Sequence, residues 1–183
     1  MYDFINNYAI GFRTWGGAIS NNGNTVGSIT GDFIGNYTSS IEEASGGAIY
    51  NINPNTTIGS ITGDFIANFA LSISSDAQGG AIHNDWYSTI KKINGYYIGN
   101  YAQPLSAHAR GGAIYNSYST IGLKNENNNI IGGITNSSFI NNYTKSERGT
   151  AQGGAIWTNS DLNIISTNNY ISIFQGNYTE TNG

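Results

Sequence analysis

The tetrapeptide Gly-Gly-Ala-Ile recurs five times in the 183-residue chain and constrains its fold more than any other feature. The copies begin at Gly16, Gly46, Gly79, Gly111 and Gly153. The steps between them are 30, 33, 32 and 42 residues. A period in this range is typical of repeat proteins, in which each repeat is one supersecondary unit that packs on its neighbours.

A second motif, an aromatic residue followed three positions later by asparagine, alternates in phase with the first. Its six copies are Phe4/Asn7, Phe33/Asn36, Phe65/Asn68, Tyr97/Asn100, Phe139/Asn142 and Phe174/Asn177. Another aromatic residue follows each of these asparagines, and stretches such as VGSITGDF precede the motif. The two interleaved motifs predict a single repetitive domain over residues 1–183, which is either part of a longer array or a subunit that stacks.

The composition favours strands over helices. Glycine occurs 25 times, whereas proline occurs only twice. Glycine is unfavourable in helix interiors and favourable in tight bends, and the apolar segments between the bends are short and rich in isoleucine. We therefore predict an all-β chain folded as a right-handed parallel β-helix, a three-sided solenoid of about five to six coils. Each repeat is expected to hold three β segments.

Stacked coils place equivalent residues of successive repeats one above another, so each motif position should form a ladder. The aromatic ladder predicted in the core consists of Phe4, Phe33, Phe65, Tyr97, Phe139 and Phe174. The predicted isoleucine ladder consists of Ile19, Ile49, Ile82, Ile114 and Ile156. The predicted amide ladder consists of Asn7, Asn36, Asn68, Asn100, Asn142 and Asn177. A second amide ladder is expected from Asn21, Asn51, Asn84 and Asn116, and we interpret both as structural.

The alternation of the two motifs from Phe4 to Tyr178 resembles the repeats of the chlamydial polymorphic outer-membrane proteins and of similar autotransporter passenger domains. The resemblance implies a β-helical passenger displayed on the bacterial outer membrane and involved in adhesion to host cells or in autoaggregation. On this basis we expect an extracellular location at the bacterial surface.

Charge and composition argue against several classes of partner. Only 10% of the residues are charged and the net charge is −4, so we expect no nucleic-acid partner. The chain has no cysteine, and none of its apolar runs approaches the roughly 20 residues of a membrane span. His83 and His108 do not belong to a metal-spaced cluster, and cofactor fingerprints are missing from the sequence. We therefore predict no metal, no cofactor and no catalytic residue.

An enzyme that acts on polysaccharides is an alternative, because β-helices also host such sites. Asp32 and Asp64 occupy equivalent positions and should lie one coil apart, close enough to share a proton or a cation. The next repeat has Tyr96 at this position, and no lysine or arginine recurs beside it. Enzymatic activity therefore ranks third among the functional hypotheses.

In four of the Gly-Gly-Ala-Ile strands, the residue that directly follows the isoleucine is a candidate for surface binding. Alternation along a strand should point Tyr50, His83, Tyr115 and Trp157 outward. Such a row could stack on sugar rings or on another rod, or it could simply stiffen the sheet by stacking between coils. Charges concentrate in the variable segments that precede these strands, where loops often carry recognition. These charged residues are Arg13, Glu42, Glu43, Asp76, Arg110, Lys145, Glu147 and Arg148.

The leading functional hypothesis is an adhesive surface protein, whose partner is a host-cell receptor or a glycan. The runner-up is an extracellular filament in which copies of the chain stack head to tail. This alternative follows because the repeat motifs begin at Phe4 and continue to Tyr178, and we expect no polar capping segment over the terminal coils.

Overall fold

The computed structural model describes residues 2–127, 130–166 and 172–181, and every regular element in these ranges is a β-strand. Strands of successive repeats pair in parallel and form a β-solenoid of about five turns. The predicted all-β solenoid is therefore confirmed. An interior coil contains five strand positions, which stack into five columns that we number in the order in which the chain visits them.

Column 1 carries the aromatic residue of the aromatic-x-x-Asn motif, and column 2 starts directly after the asparagine. The strands of column 1 are Phe4–Ile5, Phe33–Ile34, Phe65–Ile66, Tyr96–Ile98, Ser138–Ile140 and Ile173–Gln175. The strands of column 2 are Tyr8–Gly11, Tyr37–Ser40, Phe69–Ser72, Tyr101–Pro104, Tyr143–Ser146 and Tyr178–Thr181.

Columns 3 and 4 flank the paired glycines. The strands of column 3 are Thr14–Trp15, Ala44–Ser45, Ala77–Gln78, Ala109–Arg110 and Ala151–Gln152. The strands of column 4 are Ile19–Asn22, Ile49–Ile52, Ile82–Asp85, Ile114–Ser117 and Ile156–Thr158. Column 5 completes the coil with Thr25–Thr30, Thr57–Thr62, Thr89–Ile90, Lys92–Asn94, Thr120–Ile121, Gly133–Thr135 and Ile164–Ile165.

The coil is more finely divided than the three β segments expected from the sequence. One expected segment, the aromatic-x-x-Asn-aromatic stretch, bends at the residue before the asparagine and so contributes to both column 1 and column 2. That residue has a left-handed backbone in each repeat, for example φ 62° at Gly35 and φ 53° at Ala67. Column 3 lies in the segment that the sequence suggested to be a variable loop.

Columns 1, 4 and 5 enclose the main core. Phe33 and Phe65 of column 1, Ile49 of column 4 and Ile58 and Ile61 of column 5 belong to one buried apolar cluster. The column 1 rings stack almost parallel from Phe4 to Phe174, with neighbouring centroids 4.5–4.8 Å apart. The strand register pairs these aromatic residues with one another, and likewise the isoleucines from Ile19 to Ile156, as the repeat alignment predicts.

Columns 2 and 3 form an arch that leaves the main core and returns to it. Small side chains fill the space between the two columns, where Ala44, Ala70, Ala77 and Ala102 form a separate buried cluster. The paired glycines close the arch. The first glycine turns the chain with a left-handed backbone, as at Gly79 with φ 63°. At the second, Gly80, a Cβ atom would lie 2.4 Å from the carbonyl oxygen of Tyr101, so any side chain would clash.

An insertion explains the 42-residue step between the fourth and fifth glycine pairs. Leu123–Lys124 pairs antiparallel with Ile130–Ile131, and this hairpin interrupts column 5; residues 128–129 lie outside the described ranges. Pairing resumes in register on both sides, since Ile121 lies opposite Ile90 and Ile134 lies opposite Ile93. The inserted hairpin is therefore accommodated without a change in the register of the coil.

Candidate functional site

The first amide ladder runs through the buried corner between columns 1 and 2. Asn100 represents it. Its Nδ2 donates to the Oδ1 of Asn142 at 2.9 Å and to the carbonyl oxygen of Phe65 at 2.8 Å. Its Oδ1 accepts from the backbone N–H and from the Nδ2 of Asn68. Both donor hydrogens and both acceptor sites of a carboxamide are thus used.

The second amide ladder lies on the core side of column 4. Nδ2 groups donate to the Oδ1 of the next coil from Asn21 to Asn51, from Asn51 to Asn84 and from Asn84 to Asn116, at 2.8–2.9 Å. Thr158 continues the ladder by accepting from the Nδ2 of Asn116 at 3.1 Å. The amides of both ladders bind other parts of the same chain, which favours the structural interpretation.

The aspartates considered for catalysis also bind backbone. The Oδ1 of Asp32 accepts from the N–H of Asp64 at 2.9 Å, and the Oδ1 of Asp64 accepts from the N–H of Tyr96 at 2.9 Å. Asp3 does the same for the N–H of Asp32 at 3.1 Å. The row thus begins one coil earlier than the sequence analysis recognised, and each carboxylate satisfies a corner amide of the next coil.

The expected exposure of the column 4 row is wrong for three of its four members. Tyr50, His83 and Tyr115 are only 8%, 1% and 6% exposed, whereas Trp157 is partly exposed. Alternation does place them outside the main core cluster. They are nevertheless buried, because their rings stack on one another at 4.7–4.9 Å and column 3 lies alongside them.

Side chains of column 3 and of the arch cover this row. Trp15 packs against Tyr50 with ring centroids 6.1 Å apart, and the guanidinium of Arg110 lies 5.6 Å from the ring centre of Trp157. Burial raises the pKa of Tyr50, and the carboxylates of Glu43 and Asp85 raise it further. The row therefore forms a second packed layer between column 4 and the arch, and offers little surface to a ligand.

A more accessible row follows the motif asparagines in column 2. It consists of Tyr8, Tyr37, Phe69, Tyr101, Tyr143 and Tyr178, whose neighbouring rings stack at 4.8–5.3 Å. Tyr8 and Tyr178 at its two ends are exposed, and the rings between them are partly exposed. Burial, together with the neighbouring Tyr101 and Tyr178, raises the pKa of Tyr143 to about 12. This row runs along the outside of the arch.

The charged residues predicted to lie on loops cluster on the arch. Among the described residues, three ion pairs join successive coils there: Arg13 with Glu42, Arg110 with Asp76, and Lys145 with Glu180. The Arg110 and Lys145 pairs have nitrogen–oxygen distances of 2.8 Å. Partly exposed pairs of this kind contribute little to stability, so their main effect is on the charge pattern of the surface.

Exposed aromatic residues also occur in the turns between columns 4 and 5, where the sequence analysis singled out no site. Trp86, Tyr87 and Tyr118 are 59%, 70% and 64% exposed. They line a cavity of about 350 Å³, and a neighbouring cavity of about 340 Å³ shares Tyr87 and Tyr118. The signal in the sequence was the composition of NDWYS, because tryptophan and tyrosine are unusual in a tight turn between strands.

The described ranges contain no group of three or more acidic or histidine side chains placed to hold a metal ion. His83 lies 3.7 Å from Asp85, and the Nδ1 of His108 is 2.8 Å from the hydroxyl of Thr150. Over the same ranges, none of the elements is a helix long and apolar enough to cross a membrane.

The columns and ladders define a parallel β-solenoid that is built from repeats. Residues 136–159 match the family model of the Chlamydia polymorphic membrane protein repeat. This stretch contains one aromatic-x-x-Asn motif and one Gly-Gly-Ala-Ile motif, from Phe139 through Ile156. Over these residues the chain is similar to the repeat of the Chlamydia polymorphic membrane proteins. Neither the curated proteins nor the solved structures contain a match to the chain.

Proposed function

We propose that the chain is a rigid extracellular scaffold on a bacterial surface that mediates adhesion to host cells or between bacteria. The observation that carries this proposal is the polymorphic membrane protein repeat at residues 136–159, within a chain that repeats the same two motifs throughout. The family resemblance supports the proposed location and the proposed adhesive role.

Each coil combines a packed core with variable surface segments, and this arrangement supports the proposed function. The core rings and both amide ladders are held by packing and by hydrogen bonds between neighbouring coils. The arch and the turn between columns 4 and 5 vary in sequence and carry charged or exposed aromatic side chains. A rigid scaffold that presents variable loops is a common arrangement for recognition.

A structural and adhesive role is favoured over catalysis on polysaccharides. The Oδ1 atoms of Asp32 and Asp64 each accept a backbone hydrogen bond from the next coil. General acid catalysis would require a carboxyl group aimed at a substrate oxygen. We therefore propose that these aspartates maintain the corner between columns 5 and 1.

Adhesion of coated beads to cells tests the proposal. Polystyrene beads coated with the purified chain should bind to cultured epithelial cells, or aggregate with one another, more than beads coated with albumin. A matched coating carries Phe65→Ala, which should destabilise the fold by about 3–5 kcal/mol by removing a fully buried ring. Adhesion that survives loss of the fold, or that equals the albumin level, would contradict the proposed function.

The second candidate is a self-assembling filament, which the constant parallel register of successive coils favours. In the last described coil, Ile173, Phe174 and Tyr178 are 46%, 50% and 48% exposed, although their counterparts in the preceding coil pack against a neighbour. An exposed end of a parallel stack can pair with the opposite end of another molecule in the same register.

A further inference from the structure

The turns that follow the first four column 4 strands have a left-handed backbone at their first residue. The strand register makes Gly23, Asn53, Trp86 and Tyr118 equivalent, because their preceding residues Asn22, Ile52, Asp85 and Ser117 are paired. Their φ angles are 82°, 87°, 55° and 47°. Glycine and asparagine adopt this conformation readily, whereas large side chains rarely do.

The third and fourth coils thus place large rings where the backbone prefers glycine or asparagine. Trp86 and Tyr118 are more than half exposed, as is the adjacent Tyr87, whose φ is 60°. Neither core packing nor backbone preference therefore explains why aromatic residues occupy these positions. Side chains that oppose the local preference and face solvent are characteristic of binding sites.

Hydrogen bonds hold the three residues in place. The N–H of Tyr87 donates to the carbonyl oxygen of Tyr118 at 2.8 Å, which ties the two turns together. The Oδ1 of Asp85 accepts from the N–H of Trp86 at 2.7 Å, and the Oδ1 of Asn159 accepts from the N–H of Tyr118 at 3.1 Å. The rings therefore project from a backbone that is already ordered, which lowers the entropic cost of binding.

The cavity beside these rings combines apolar faces with hydroxyl groups. Thr120, Ser160 and Asp161 line it as partly exposed residues together with Tyr87 and Tyr118, and the buried Ser88 and Ser119 lie beneath them. Asp161 is the charged residue among them, and the group includes no lysine or arginine. The volume of about 340 Å³ lies near the lower limit of the roughly 300–1,000 Å³ typical of small-molecule sites.

We propose that the surface formed by Trp86, Tyr87 and Tyr118 binds a neutral saccharide of one or two sugar units. The C–H faces of a sugar pack on aromatic rings, and its hydroxyl groups exchange hydrogen bonds with the partly exposed hydroxyls of Thr120 and Ser160. The lack of a cationic group in the lining disfavours sialylated or sulfated glycans. This inference deepens the proposed adhesive function and rests on it for its biological setting.

Binding of the full chain to an array of neutral, sialylated and sulfated glycans tests this proposal, followed by titration calorimetry with the best neutral disaccharide. We expect binding to neutral glycans. Trp86→Asn and Tyr118→Asn introduce the residue that the second coil has at this position, and each should weaken binding at least tenfold. Their melting temperatures should stay equal or rise, because asparagine adopts the left-handed backbone more readily. Phe12→Asn, on the exposed arch turn, is the control and should leave binding unchanged.

The outcomes separate this proposal from the proposed function. Absence of binding to every neutral glycan, or equal binding by wild type and by both variants, overturns the saccharide site. Beads that adhere to cells without binding neutral glycans overturn the saccharide site and leave the adhesive function standing. If Trp86→Asn abolishes adhesion to cells from which glycans have been removed enzymatically, the surface recognises a protein and the saccharide proposal is wrong.

Discussion

The Oδ1 of Asn100 accepts two hydrogen bonds from Asn68, one from its backbone N–H and one from its Nδ2, both at 3.0 Å. The same relationship links each motif asparagine with the next from Asn7 to Asn177. The carboxamide is the group that matches this pattern, because it offers two donor hydrogens and two acceptor sites within one plane.

Asn100→Asp is therefore expected to lower the free energy of unfolding by about 3 kcal/mol or more. The change removes two buried donors and turns a carboxylate oxygen toward the acceptors of Phe65 and Asn142. Urea denaturation followed by circular dichroism measures the loss. The same change at the exposed Asn127 is the control and should alter stability by less than about 0.5 kcal/mol. Similar effects at both positions would refute the ladder's contribution.

Tyr97→Phe should stabilise the fold by about 1 kcal/mol. The ring of Tyr97 is completely buried between Phe65 and Phe139, and its hydroxyl has no hydrogen-bond partner within the described residues. Removing an unsatisfied buried hydroxyl eliminates its desolvation penalty without altering the stack. The exposed Tyr2 provides the control, since Tyr2→Phe should leave the urea midpoint unchanged. Destabilisation by Tyr97→Phe would mean that the hydroxyl is bonded.

Ala67→Gly should also stabilise the chain, by about 1 kcal/mol. Ala67 has φ 53° at a corner where Gly35, Gly99 and Gly176 occupy the equivalent position, and a left-handed backbone is costly for alanine. The free energy gained by removing this backbone strain exceeds the cost of the conformational entropy that glycine adds to the unfolded chain. At Ala107, where φ is not positive, the same replacement should destabilise by about 0.5–1 kcal/mol. Two changes of the same sign would disprove the argument.

The stability of the chain should decrease above about pH 10. Burial raises the pKa of Tyr97, Tyr101 and Tyr115 above the ordinary tyrosine value of 10.0. Above that pH the unfolded chain has lost these phenolic protons, whereas the folded chain keeps them. Because the unfolded state then binds fewer protons, the free energy of unfolding falls as the pH rises.

Urea titrations at about pH 8 and about pH 11 measure this dependence. Tyr97→Phe should show a smaller decrease than the wild type, because it lacks one of the shifted groups. An equal decrease in both proteins would show that Tyr97 does not contribute.

The purified 183-residue chain is expected to associate head to tail. Phe174 ends the column 1 stack half exposed, and Phe4 begins it, so the two end faces present matching strands. Such a contact does not close on itself and produces linear assemblies. Sedimentation velocity should show oligomers that Phe174→Lys reduces. Ile73→Lys, equally exposed but on the arch of an interior coil, should not reduce them. A monomer at micromolar concentrations would contradict the prediction.

The sequence was sufficient to predict the stacked ladders of repeated residues. It was insufficient to predict which side chains the arch buries. The spacing of Phe33, Phe65 and Tyr97 predicts their stacking, because one residue per coil at a fixed position must form a column. Alternation correctly placed Tyr50 and His83 on the side of column 4 away from the core. It could not predict their burial, since this depends on the arch returning beside them. The rings at Trp86 and Tyr118 were missed because they replace the residues expected in the turn and so break the repeat pattern.

The hairpin from Leu123 to Ile131 leaves column 5 and returns to it while the paired strands on both sides keep their register. An insertion within one coil therefore lengthens the chain without changing the distance between successive coils along the solenoid axis. A peptide grafted into that hairpin would stay at the level of its own coil, and grafts in two coils would be separated by multiples of about 4.8 Å. The solenoid can thus present natural or engineered inserts at separations that the spacing between coils defines.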